Sequence, residues 1–218
     1  MNKKKKEINF KKHSATIQMS NIINAQQRKI FNTLIYNSSK RIKENYNEFF
    51  TIEINELERL SGYKSTNKKR IKEYIKELCN IKIEFNILNK DKKKWIYLPL
   101  LSEINIIENK LYYLFPPSIL KTIKHPSIYA ILDLIIIKGF SSKYSIALYE
   151  ITKDYINAEI PKMEINKFKK LMGIKENQYT KIYDLKKRVI DPAIKEITDN
   201  TNINLTYEII KERRIPKI

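Results

Sequence analysis

The chain has 218 residues, 42% of them hydrophobic, which suits one large domain or two small ones with real cores and excludes a chain disordered by composition. Its 43 Lys and Arg stand against 24 Asp and Glu, a formal net charge of +19 that attracts polyanions, nucleic acid first and acidic membrane surfaces second. Codon bias toward Lys, Asn and Ile supplies part of that excess, so charge alone decides nothing. Only three glycines are present, which excludes a Walker loop or a dinucleotide fingerprint, and the single Cys79 excludes an internal disulfide.

In chain order, MNKKKKEINFKKH is basic with no apolar run behind it, so it does not read as a secretory signal. Residues 1–20 are expected to form a loose basic arm, and the protein to be cytoplasmic. Asn21 to Lys43 carries Ile22, Ile23, Ile30, Phe31, Leu34 and Ile35 on one helical face. Next come a short strand (Ile-Glu-Ile), a helix opened by Asn55 as N-cap, and a stop at Gly62. A second helix over 67–78 puts Ile71, Ile75 and Leu78 on one face and Lys68, Lys72 and Lys76 on another. Cys79, beside that apolar face, reads as a buried structural thiol. The alternation Ile81, Ile83, Phe85 starts a hairpin whose tip carries Lys90, Lys92, Lys93 and Lys94.

KLYYLF reads as a strand, Pro116-Pro117 as its end and the start of a helix, and Pro126 as the start of another. A domain boundary is expected near 116–125, giving domains over 21–120 and 121–218. The run YAILDLIII is too short to span a bilayer and is interrupted by Asp133. SSKYSIALYEITKDY is a helix expected to open the second domain.

The second half repeats the first. IEINELERLSGYK (52–64) lies over MEINKFKKLMGIK (163–175) at an offset of 111, aligning Asn55 with Asn166 and Gly62 with Gly173. Lys68-Lys69-Arg70 matches Lys186-Lys187-Arg188 at 118, and NIKIEFNIL matches NINLTYEII at 122. Three blocks in one order indicate a duplicated module. Strand, helix, glycine turn, basic helix and hairpin describe a winged helix-turn-helix, so the fold class is α+β with two such domains in tandem. Pro192 either kinks the second basic helix or, with Asp191 as cap, starts a new one. Ile203, Leu205 and Tyr207 read as a half-buried strand.

A winged helix places the N-terminal residues of its second helix in the DNA major groove. An exposed, solubilising lysine face accounts for one KKR run taken alone, but two runs at matching places favour DNA. The candidate DNA-binding residues are Lys64, Ser65, Lys68, Lys69, Arg70 and Lys72 in the first copy. In the second they are Tyr179, Lys181, Lys186, Lys187 and Arg188. The wing candidates are Lys92, Lys93 and Lys94, then Lys211, Arg213 and Arg214.

The motifs QQRKIFNTLI (26–35), IEFNIL with Trp95 and LPLLSEI (83–104), FPP and PSIYAI (115–131), FSSKYSIALYE (140–150) and KKRVIDPAIKEI-x-x-x-T-x-I-x-L-x-Y (186–207) occur in order. On these the chain resembles the iteron-binding plasmid replication-initiator (Rep) family of bacteria, from about Gln26 to Arg214. The resemblance implies tandem winged helices that bind direct repeats in a plasmid origin, mainly through the C-terminal domain, open AT-rich DNA and recruit the host helicase machinery. It also implies homodimers, joined through the N-terminal domain, that repress their own promoter, while monomers initiate. No cofactor and no ATPase of its own are implied. Lys181, Lys186, Lys187 and Arg188 take the role of readers in the C-terminal domain, and Lys68, Lys69 and Arg70 the matching role in the N-terminal one.

Other readings are weaker. A rolling-circle nicking enzyme needs paired histidines for its metal, and His13 and His125 lie in separate segments. A dedicated transcriptional repressor shares every DNA-binding feature and is separated only by the whole-chain resemblance. Charge-driven binding to membrane or RNA lacks both a free basic amphipathic helix and an RNA-module signature.

Overall fold

The computed structural model describes residues 7–20, 22–41, 49–65, 67–84 and 96–210. The expected loose arm is structured within this range. Strand β1 (Asn9–His13) turns Phe10 and Lys12 inward and pairs antiparallel with β7 (Tyr129–Asp133), Lys11 facing Ile131. The alternation in Asn-Phe-Lys-Lys-His is a strand signal hidden by its lysines, one of which is buried against a carboxylate. His13 caps the short α1 (Ser14–Ile17) by accepting from the Ala15 amide at 3.1 Å.

Helix α2 (Ala25–Ser39) starts with a capping box: Asn24 accepts from the Gln27 amide at 2.9 Å and Gln27 accepts from the Asn24 amide at 2.8 Å. It buries Ile30, Phe31, Leu34 and Ile35 at the centre of the core. Strand β2 (Phe50–Glu53), helix α3 (Ile54–Ser61), helix α4 (Lys68–Asn80) and the hairpin β3 (Lys82–Glu84) with β4 (Tyr97–Pro99) follow. Strands β5 (Glu103–Ile107) and β6 (Lys110–Leu114) complete a sheet of order β2-β6-β5. Burying Ile71, Ile75 and Leu78 of α4 stabilises by about 1.5–3 kcal/mol each, which fixes the opposite, lysine-bearing face toward solvent.

Helix α5 (Pro117–Lys124) has a proline in its first turn, as the sequence suggests. The helix expected after Pro126 is instead strand β7. There Ala130 and Leu132 point inward because β1 supplies the hydrogen-bonding partner, and α6 (Leu134–Gly139) begins only where Asp133 accepts from the Ile135 amide at 2.8 Å. Helix α7 (Lys143–Asp154) joins the two halves. It lies against α2 and β7 on one side and against α8 (Ile165–Met172) and α10 (Asp191–Asn200) on the other.

Between α8 and α10 run α9 (Ile182–Leu185) and a π turn over Lys186–Ile190, continuous with α10. Of the Pro192 alternatives, a fresh start capped by Asp191 is excluded. The backbone stays helical through Ile190 and Asp191, widens by one residue, and the Asp191 amide donates to the Lys186 carbonyl. A proline in a regular helix would crowd the Arg188 carbonyl and lack its amide, and the wide turn just before it absorbs the misfit.

Two smaller expectations also differ. Asn55 and Asn166 sit inside their helices, while Glu53 and Glu164 occupy the cap positions without a side-chain cap bond. Residues 201–210 form no strand among the described residues, although Ile203 and Leu205 are half-buried in the expected alternation.

Candidate nucleic-acid interface

Each half carries the same unit: a short amphipathic helix, a left-handed glycine, and a second helix with a buried apolar face. Gly62 has φ 71° and Gly173 φ 65°, closing α3 and α8 in the conformation that a side chain resists. Leu57 and Leu60 in the first unit, and Leu171 and Met172 in the second, turn these helices inward.

In the first unit Asn67 caps α4 by accepting from the Lys69 and Arg70 amides at 3.1 and 3.3 Å, while the Ser65 hydroxyl accepts from the Asn67 amide at 3.1 Å. Lys64, Ser65, Lys68, Lys69, Arg70 and Lys72 are all exposed. They are not equally free. Lys68 is paired with Glu58 of α3 and reaches Asn55 at 3.3 Å. Arg70 lies 5.3 Å from the centre of the Tyr74 ring and donates to its hydroxyl at 3.3 Å. Lys64, Lys69 and Lys72 have no ion pair among the described residues, so the start of α4 and the turn before it present exposed cations.

In the second unit the turn is longer and braced from below. The buried Lys169 ammonium donates to the Gln178 carbonyl at 2.9 Å, and Lys143 donates to the Gly173 carbonyl at 2.7 Å. Burial and the nearby cations Arg28 and Lys175 lower the Lys143 pKa. Tyr179 adopts φ 48° and is half-buried rather than a fully exposed contact. Burial and a hydrogen bond with Tyr179 push the Tyr144 hydroxyl up to about 12. Tyr179 thus anchors the turn beneath the helix start.

Lys181 occupies the N-cap position of α9 and is exposed, as are Lys186, Lys187 and Arg188. Arg188 lies 3.5 Å from Asp184, one turn back, with two-thirds of its side chain exposed. Lys187 reaches the Tyr183 hydroxyl at 3.4 Å, and Lys186 sits 5.7 Å over the Tyr207 ring. The Tyr207 hydroxyl donates to Asp191 at 2.6 Å, which ties the segment after α10 back onto the π turn.

The two basic runs do not occupy matching turns. Counted from the N-caps, Lys68 of α4 corresponds to Ile182 of α9, so Lys186-Lys187-Arg188 falls about one turn further in, on the π turn. Alignment on the KKR letters conceals this and passes over Tyr183, which stands at the helix start. Counting from the cap is the signal that finds it. The wing candidates Lys92, Lys93 and Lys94, and Lys211, Arg213 and Arg214, lie outside the described residues.

Among the described residues no helix is long and apolar enough to cross a membrane, and no group of three His, Cys, Asp or Glu is placed to hold a metal ion. Cys79 is half-buried, and burial raises its thiol pKa.

The fold resembles that of Pi initiator protein, solved in complex with iteron DNA, with TM-score 0.65, 17% identity, and coverage of 98% of this chain and 95% of that one. The WH1 domain of MSBI1.176, a replication protein isolated from a multiple sclerosis patient, aligns over 48% of this chain and 82% of its own at 17% identity. Its TM-score of 0.34 is too low to carry an argument. No curated protein matches. The family model described as initiator replication protein, WH1, matches residues 9–153, and that described as initiator Rep protein, WH2, matches 164–217. The first of these matches spans β7, α6 and α7, which the sequence division at 116–125 assigns to the second domain. Strand β7 pairs with β1, and α7 packs on α2 as well as on α8 and α10. With the family model for the first winged helix spanning most of its length and that for the second matching the rest, the chain belongs to the initiator replication protein family, built as two winged helices in tandem.

Proposed function

We propose that this protein initiates plasmid replication by binding direct repeats of duplex DNA at the origin. The second helix of each winged unit lies in a major groove, Lys181, Lys186, Lys187 and Arg188 reading the repeat and Lys64, Lys69, Arg70 and Lys72 holding the backbone. The observation that carries this is the pair of helix, left-handed glycine and basic-helix units, each with its apolar face buried and its cations in solvent. Family membership and the fold shared with an initiator solved on iteron DNA support the same reading.

The proposal extends to partners and place. The N-terminal unit forms a homodimer that represses the protein's own promoter, the monomer opens AT-rich DNA and recruits host helicase proteins, and the work is done in the cytoplasm without catalysis by this chain. The test is autonomous replication: a plasmid lacking any other origin, carrying this gene and its flanking DNA, is maintained. Loss of maintenance with repeat binding intact leaves the repressor reading instead.

A further inference from the structure

We propose that Tyr183 is a specificity residue whose ring meets the C5-methyl of a thymine in the major groove. The inference rests on the DNA-binding reading above and names one contact within it. Two observations converge on Tyr183. It stands on the first turn of α9, where a groove-bound helix offers its side chains to base edges. It is 66% exposed, more than any other described large apolar side chain except Ile128, and Ile182 beside it is 37% exposed.

Of the described neighbours of Tyr183, Lys187 alone engages its side chain. Leu185 is buried in the core and Asp184 is engaged with Arg188. The only described partner of Tyr183 is Lys187, 3.4 Å from its hydroxyl and 5.5 Å from its ring centre. The Lys187 ammonium lies over the ring toward its hydroxyl end, and the exposed remainder of the ring is left to an apolar group on the base edge. Thymine alone presents a methyl there, and apolar contact with it is a known means of telling T from C, A and G. An ammonium is a less discriminating contact than a shaped apolar surface, so an aromatic ring at the helix start adds discrimination to what Lys186 and Lys187 contribute.

The full-length chain and a synthetic duplex covering its own footprint test this. Each thymine is replaced singly by uracil, which removes only the methyl. For wild type and Tyr183→Phe, one or two positions per repeat are expected to lose about tenfold in affinity. Tyr183→Ala is expected to bind thymine and uracil duplexes alike at those positions, with thermal stability unchanged because the side chain is exposed. Equal binding of all uracil duplexes by wild type, or an undiminished uracil penalty in Tyr183→Ala, overturns the inference while the DNA-binding reading stands. Absence of any footprint overturns both.

Discussion

The Lys12 ammonium lies 2.8 Å from a Glu150 carboxylate oxygen, and both side chains are fully buried. Arg28 donates to the same carboxylate at 2.5 Å, and Asn32 to its other oxygen at 2.6 Å. Three elements far apart in sequence, β1, α2 and α7, are thereby locked on one acid. Removing the acid strands two buried cations, a change that costs about 3–5 kcal/mol. Glu150→Gln is expected to lower the melting temperature sharply, and chemical denaturation measures the loss.

The same carboxylate makes stability depend on acid. Burial alone would raise the Glu150 pKa, but Arg28 and Lys12 hold it down to about 2. A carboxyl whose folded value is depressed binds its proton less readily than in the unfolded chain. Its contribution is therefore complete above the ordinary value of 4.5 and is lost as pH falls toward 2. The stability difference between wild type and Glu150→Gln should shrink across that window. A difference independent of pH between 6 and about 2 contradicts the assignment.

At the joint between the halves, Glu196 of α10 accepts from the Ser141 amide at 2.6 Å and the Ser142 amide at 3.3 Å, holding the entry to α7, whose own cap is the Ser142 hydroxyl. Burial would raise the Glu196 pKa, but the nearby Ser145 hydroxyl and the hydrogen bonds from Ser141 and Ser142 outweigh it and lower it. Loss of hydrogen bonds of this kind, to a charged acceptor, costs roughly 1.5–3 kcal/mol. Glu196→Ala is expected to destabilise by that amount and to weaken DNA binding, because α10 carries the π turn with its three cations. Calorimetry and a binding titration read the two effects separately.

Gly62 offers a local test of the first unit. A Cβ there would stand 2.6 Å from Lys138 Cγ, on a backbone with φ 71°. Gly62→Ala should cost about 1–2 kcal/mol from the left-handed backbone, and more because Lys138 must give up its 3.0 Å bond to the Arg59 carbonyl. Equilibrium unfolding of the variant measures it.

Arg188→Ala is expected to weaken repeat binding by about 1–3 kcal/mol and to relax preference at one base pair, as loss of a two-pronged guanine contact would. Arg188→Lys should rescue little, since an ammonium cannot reproduce the planar fork. Competition with duplexes mutated at single positions checks both. Unchanged affinity and base preference would leave Arg188 to its ion pair with Asp184.

Much of the fold was legible because periodicity and glycine positions are local signals. The repeat across Gly62 and Gly173, the apolar face of α4 and the start of α5 at Pro117 follow from residues within a turn or two. What was hidden depends on partners distant in sequence. The strand at Asn9–His13 needs β7, and Lys12 reads as solvent-facing until Glu150, on α7, is beside it. YAILD reads as helix because its apolar run has no breaker, and only β1 makes it a strand.

The site divided in the same way. Basic residues flagged on α4 and the π turn are exposed as expected, whereas Tyr179 braces a turn and Lys68 is drawn back to α3. The π turn has no signature of its own beyond Pro192, and the α9 turn that precedes the KKR run drops out when the two runs are aligned by letter, which kept Tyr183 out of view.

The most direct test of the whole account is hydroxyl-radical footprinting of the full-length chain on the DNA flanking its own gene. The account predicts protected tracts that recur over direct repeats of one sequence, on the face of the duplex that two groove-bound helices would cover, and that fade when Lys187 and Arg188 are both replaced by alanine. Uniform protection that ignores sequence, or repeats protected equally by the double variant, would contradict it.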